Sequence, residues 1–233
     1  MDKIHKYRHE LKYLCSEAHL AIIRNRLRGI MSFDRHAKNG EYTIRSMYFD
    51  SLDNRCFYEN ECGTDRREKF RIRIYNAEDS RISLECKRKE RGKTFKTSCL
   101  LTKDDYAAVL NGGTIDRFDQ KPPLLRKFSV LQRTELFRPA VIVEYDRTPY
   151  VYSIGNVRVT LDRNIRSSDD FEHFFEKNLP TRPILPEGQH LLEVKFDELL
   201  PDFIKEVLQL GDLQQTTFSK YYLCRKFSMG GIL

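Results

Sequence analysis

The 233-residue chain lacks the marks of several large functional classes. Neither GxGxxG nor GxxxxGK[ST] occurs, so a phosphate cradled by a glycine-rich loop is excluded and any phosphate must be held by side chains. The six cysteines, Cys15, Cys56, Cys62, Cys86, Cys99 and Cys224, form no CxxC pair and no Cys/His zinc spacing. Several stand in apolar surroundings, where a free thiol acts as a small hydrophobe, and a reducing, cytoplasmic setting is expected. The histidines are scattered, with no Cys or Ser partner at the spacing of a nucleophilic triad. No apolar run approaches the roughly 20 residues that cross a bilayer, and residues 1–8 lack the apolar core of a signal peptide. Without repeats, low-complexity runs or a Pro/Gly/Ser-rich linker, residues 1–233 are expected to form one domain. Aromatic residues are not interleaved with basic ones as in single-strand nucleic-acid binders, so nucleic acid is not the expected partner.

What the chain does have is charge at every second residue of several strand-like segments. The sets are Arg8-Glu10-Lys12, Lys69-Arg71-Arg73, Glu85-Lys87-Lys89, Arg158-Thr160-Asp162 and Glu193-Lys195-Asp197. Alternation puts each set on one face of its strand. The residues between are apolar in Phe70-Ile72-Ile74, Leu84-Cys86 and Leu192-Val194-Phe196. For a single strand such a face ordinarily meets water. Recurring in one chain of net charge +7, mostly cationic but each with a carboxylate in or near it, the pattern points to a closed barrel with its charge inside, built for a polyanion.

Periodicity and caps give the remaining elements. Strands are expected over 7–14, 42–50, 69–75, 82–89, 93–100, 140–146, 157–162 and 191–196, with Tyr150-Val151-Tyr152 between two of them. Helices are expected over 17–28 behind Ser16, after Thr102 with Asp105 as a capping pair, over 124–136, 201–210 and 219–225. Phe57-Tyr58 reads as a lead into a turn at Gly63. The sum is an α+β fold centred on an antiparallel barrel of about eight strands, with peripheral helices.

Arg71 and Arg73 are the strongest local signal, because two guanidinium forks at i and i+2 on one strand match successive phosphoryl groups. Lys87, Lys96, Arg147, Arg158, Lys195 and Lys220 are further candidate cations. Glu193, in the apolar strand Leu191–Phe196, is the candidate ligand for a hard cation such as Mg²⁺ or Mn²⁺, with Glu10 and Glu85 behind it. On residues alone, an enzyme, a binding module without turnover and an RNA-binding barrel all stay open, the last with exposed rather than enclosed cations.

Eight motifs in order narrow this. Glu10-Leu-Lys12-Tyr13, Ser46-Met-Tyr48-Phe-Asp50, Lys69-Phe-Arg71-Ile-Arg73-Ile-Tyr75 and Leu84-Glu85-Cys-Lys87 are followed by Tyr145-Asp-Arg147-Thr-Pro-Tyr150, Arg158-Val-Thr160-Leu-Asp162, Leu192-Glu193-Val-Lys195 and Phe218-Ser219-Lys220-Tyr221. Together they resemble the VTC-type polyphosphate polymerase domain of the triphosphate tunnel metalloenzymes, which include the CYTH proteins. The resemblance implies an eight-stranded antiparallel tunnel that binds ATP, another triphosphate or polyphosphate with Mg²⁺ or Mn²⁺. It implies that Lys12, Arg71, Arg73, Lys87, Arg147, Arg158, Lys195, Ser219 and Lys220 hold phosphate, with Lys96 a further match. It also implies that Arg71, Arg73, Lys87, Arg158 and Lys220 serve the transfer itself and that Glu193 binds metal. Two departures stand out. The first strand carries Arg8-His-Glu10-Leu-Lys12 rather than Glu-x-Glu-x-Lys, and Thr217 stands where eukaryotic polymerase members tend to carry Lys. With no SPX domain or membrane segment in the 233 residues, an isolated catalytic module is expected.

Overall fold

A computed structural model describes residues 8–113, 115–208 and 213–230. Its framework is β1 (His9–Ser16), β3 (Tyr42–Asp50), β4 (Arg67–Tyr75), β5 (Glu78–Glu90), β6 (Lys93–Leu101), β7 (Arg138–Tyr152), β8 (Val157–Ser168) and β10 (Gln189–Phe196), with β2 (Ser32–Phe33) and β9 (Arg182–Pro183) as short additions. All are antiparallel in the order β1-β10-β8-β7-β3-β4-β5-β6, while β2 joins β7 and β9 joins β8. Twist curls the sheet until its edges meet. Arg8 and Thr94 exchange backbone hydrogen bonds of 3.2 and 3.4 Å at one end of β1 and β6. The expected antiparallel barrel is therefore present as a curled sheet whose edges, among the described residues, meet in one backbone bridge.

The polarity is inverted relative to an ordinary core. Outward residues of β1, β8 and β10 (Cys15, Val159, Leu161, Leu192, Val194) pack under α1 (Glu17–Arg28) and α5 (Asp202–Leu208) through Leu20, Ile23, Leu27 and Ile204. Those of β3, β4 and β5 (Met47, Phe49, Phe70, Ile72, Leu84) share a second core with Val109 of α3 (Lys103–Leu110) and Leu125 and Phe128 of α4 (Pro123–Thr134). Burying both outward faces under helices leaves the inward face free to be charged. Ser16 caps α1 and Thr102 caps α3, each in a reciprocal capping box, as their sequences imply.

Three expectations change. Phe57-Tyr58 lies in a helix, α2 (Arg55–Glu61), not in a lead to a turn. Its first amides are satisfied from a distance: the Asp50 carboxylate accepts from Cys56 N at 2.7 Å and Phe57 N at 3.1 Å, and Asn54 turns the chain at φ 58°. Ser51 Oγ takes the Arg55 amide at 3.0 Å, while Asn54, the residue at the N-cap position, makes no side-chain cap bond. The segments 140–146 and 150–152 are one 15-residue strand, β7, running through Pro149. Pro149 O accepts from Asp34 N, so the missing N–H points the same way, into the gap between Tyr42 of β3 and Phe33 of β2 where no ladder bond is lost. The third is the far end of the chain, where the helix after Ser219 extends to Ser228 as α6 (Lys220–Ser228). Tyr7 and residues 209–210, where a strand was expected to begin and a helix to end, lie outside the described residues. No described helix is long and apolar enough to cross a membrane.

Candidate functional site

Register assembles the site. Tyr48, Arg71, Glu85 and Ser98 face one another across β3, β4, β5 and β6, with Ser46, Arg73 and Ser83 in the next row. Lys69, Lys87 and Lys96 form the row on the other side. Across the sheet, Lys12 faces Glu193 and Thr160, and Glu10 faces Lys195 and Arg158. Asp162 and Arg147 face one another, then Tyr42. Every strand residue among the expected site residues thus shares the inward parity. α6 brings Lys220 and Ser219 to the same lumen, packing on β7 and β8, with the Tyr221 ring 5.1 Å from that of Tyr48.

Within the lumen each carboxylate is bracketed by cations. Arg71 donates through Nε and Nη2 to Glu85 Oε2 at 2.8 and 2.6 Å and through Nη1 to Tyr48 Oη at 2.7 Å. Lys96 Nζ lies 2.9 Å from Glu85 Oε1, and Arg73 donates to Ser46 Oγ at 3.1 Å and Tyr145 Oη at 3.3 Å. Glu85 is therefore a fixed anchor for three cations, and Arg71, Arg73 and Lys96 hold its carboxyl well below the usual range even though burial pushes the other way. Arg147 forks onto Asp162 at 2.6 and 2.7 Å, and Lys220 Nζ reaches the same carboxylate at 2.6 Å while lying over the Tyr145 ring. Burial would raise the Tyr145 phenol, but Arg147, Arg73 and Lys220 outweigh it and bring it down. Arg158 donates to Tyr42 Oη at 2.7 Å and pairs with Asp34 at 2.8 Å.

Glu10 and Glu193 differ from Glu85. They sit diagonally on neighbouring strands around Lys12, whose Nζ lies 2.8 Å from Glu10 Oε1, 3.8 Å from Glu193 Oε2 and 2.7 Å from the Phe218 carbonyl. Glu10 Oε2 accepts from Lys87 at 2.7 Å, and Lys195 pairs with Glu193. Both side chains are buried, and Oε1 of each pairs with a lysine ammonium, Lys12 for Glu10 and Lys195 for Glu193. Glu193 stays ionised, well below its usual range, because Lys195, Lys12, Lys220 and Arg147 overcome its burial. Two buried carboxylates that face one lumen and are paired mainly with lysine ammoniums supply the oxygen donors a hard divalent cation takes. Among the described residues no third acidic, His or Cys side chain joins them into a closed cage. Two carboxylates without a third ligand suit only a cation that draws the rest of its shell from water or other oxygen ligands.

Several lumen residues were not among the expected phosphate or metal ligands. Lys69 pairs in register with Lys87, touches Asn60, and lies 3.3 Å from Ser219 Oγ. It has no ion pair among the described residues, and burial, helped by Arg67 and Lys87, lowers its ammonium to about 7. Lys87 is lowered to about 8, chiefly by burial, with Glu10 opposing. Asp162 and the phenols of Tyr42, Tyr48 and Tyr145 were also unassigned. Lys69 and Asp162 carried the same i, i+2 parity signal as their neighbours; the phenols carried none. Thr217, the departure near the C-terminus, is exposed.

A family model for the VTC domain matches residues 7–229. Among solved structures, a putative adenylyl cyclase from Hippeastrum, described as having a dominant triphosphatase activity, is 15% identical with a TM-score of 0.57 over 98% of this chain and 97% of that one. A putative adenylate cyclase from Vibrio parahaemolyticus is 12% identical with a TM-score of 0.51 over 94% and 98%. At such identities the likeness concerns the fold. No curated protein matches by sequence.

Proposed function

The chain belongs to the VTC domain family, and from that membership we propose that it is a metal-dependent phosphoryl-transfer enzyme acting on ATP and polyphosphate within its lumen, in the manner of a polyphosphate polymerase. The observation that carries this reading is the pairing of an excess of enclosed, pre-oriented cations with two neighbouring buried carboxylates, Glu10 and Glu193, that stay ionised in the same lumen. A passive anion receptor gains nothing from Glu10 and Glu193 in a cationic site.

Arg71 and Arg73 are held by Glu85, Tyr48 and Ser46 with their forks in the lumen, so they meet phosphate oxygens without reorganising. Lys87, Lys96 and Arg158 extend the grip along the chain of phosphates, and Lys12 and Lys195 flank the acidic pair. Lys220 and Arg147, steadied by Asp162, face it from the α6 side. Glu193 and Glu10 would hold Mg²⁺ or Mn²⁺, which when bound supplies Lewis-acid polarisation of phosphate oxygens. Little covalent chemistry falls to the side chains. They orient donor and acceptor in line and offset the charge spread over the transferring phosphoryl group. Free cysteines, mostly buried, suit a reducing compartment such as the cytoplasm.

A triphosphatase using the same residues, with water in place of the acceptor phosphate, is the second reading. Thr217 in place of the Lys of eukaryotic polymerase members favours it, as does the fold shared with the Hippeastrum protein. Incubating the protein with ATP and Mn²⁺ and sizing products on a gel separates the two. A ladder of lengthening polyphosphate with matching ADP is the expected result. Orthophosphate without chain growth supports the triphosphatase, and no metal-dependent product overturns both.

A further inference from the structure

We propose that a cleft on the outside of the β4–β5 hairpin is a second polyanion site, which takes the stretch of a long polyphosphate chain lying beyond the tunnel. This rests on the reading of the lumen as a polyphosphate site. The cleft, of about 310 Å³, is lined by Arg55, Arg66, Arg67, Arg88 and Lys127 together with Glu59 and Glu68. Its carboxylate pairs are spent on one flank: Lys127 on Glu68 at 2.6 Å, Arg88 on Glu90 at 2.6 Å, and Arg55 on Glu135 and, at 3.7 Å, on Glu59. Arg66 is exposed, and neither it nor Arg67 makes an ion pair among the described residues. The Nε atom of Arg88 is buried and has no hydrogen-bond acceptor. Guanidinium groups left in this state match the oxygens of a phosphate chain.

Continuity with the lumen identifies the occupant. Arg67 lines the cleft and also has the inward parity of Lys69 and Arg71 on β4, so cations follow one another at about 6.6 Å from the lumen to the rim. At this end Arg67 faces Lys89 and Lys69 faces Lys87, and no described carboxylate pairs with Arg67, Lys69 or Lys89. The paired centre of the lumen around Glu85, Asp162 and Glu193 is enough for a triphosphate. Only a chain long enough to run out past Lys69 and Arg67 reaches Arg66 and Arg88. The cleft therefore selects for chain length.

The test compares sodium tripolyphosphate with long-chain inorganic polyphosphate, by calorimetry, on the full chain and on an Arg66→Gln/Arg88→Gln/Lys127→Gln variant whose melting is checked. Long-chain affinity is expected to fall by about tenfold or more, the worth of at least one charge-assisted contact, while tripolyphosphate affinity stays within about twofold. Arg66→Glu alone, at an exposed side chain without an ion pair, repeats the comparison with little risk to the fold and is expected to weaken only the long chain. Unchanged long-chain binding, or equal loss for both ligands, overturns the cleft. If the parent chain binds neither ligand, the lumen reading itself fails and the cleft falls with it.

Discussion

At the scale of single residues, parity along a strand was the informative signal. Arg71, Arg73, Glu85, Lys87 and Glu193 could be placed on shared faces from alternation alone, and those faces meet in the lumen. Parity could not say which charged face is the functional one. Arg45 and Glu144, on the opposite parity, form a buried pair extended by Arg166 outside the lumen. Nor could it show which cations lack a counter-charge, since that depends on strands far apart in sequence. Lys69 is the case that matters. Its ammonium is lowered from the ordinary 10.5 to about 7, and that of Lys87 to about 8. Both lose charge as pH rises through neutrality. In the ligand-free protein the unfolded chain then binds more protons between those values and 10.5, so these two groups make stability rise with pH across that window. A bound polyanion favours the ammonium form, so binding takes up protons. Tripolyphosphate affinity of the parent should fall between about pH 6 and about pH 9 more steeply than that of Lys69→Gln, measured side by side so that the ligand's own titration cancels. Identical slopes would remove Lys69 from the site.

At the scale of elements, most strands and capped helices were legible because their signals are local: aromatic and β-branched residues in β3, alternation in β4, the Ser16 and Thr102 caps, the Gly92 turn. α2 was not, because its N-cap residue Asn54 makes no cap bond and its first amides go to Ser51 and Asp50 further back in the chain. The same carboxylate accepts from Ser51 N and from the Tyr221 hydroxyl, so one buried residue of β3 holds both α2 and α6 in place. α6 in turn carries Ser219 and Lys220 to the lumen. Asp50→Ala leaves buried amides and a phenol without their acceptor. It should cost about 3 kcal/mol, seen as a fall in Tm on the order of 6–12 °C, and should weaken tripolyphosphate binding through Lys220 although Asp50 touches no ligand. A variant with parental Tm would show that α2 and α6 are held by packing alone.

At the scale of the whole molecule, the fold is an inside-out barrel: two apolar cores under helices outside the sheet, and a charged lumen within it. The barrel, with its charged faces turned inward, was expected from the recurrence of one pattern on several strands, while the way its edges close and the outer cleft depend on curvature that no sequence pattern reports. The central claim is that Glu193 serves a metal and not only Lys195. Glu193→Gln keeps size and polarity and removes the charge that a hard cation requires. The most direct measurement is ATP turnover with Mn²⁺ by this variant, set beside its calorimetric affinity for metal-free tripolyphosphate and its Tm. Turnover is expected to fall by at least about a hundredfold, resisting added Mn²⁺, as a loss of several kcal/mol of transition-state stabilisation demands, while metal-free binding holds or tightens because a repulsive carboxylate has left a cationic lumen. Parental turnover in a folded Glu193→Gln protein would contradict the account.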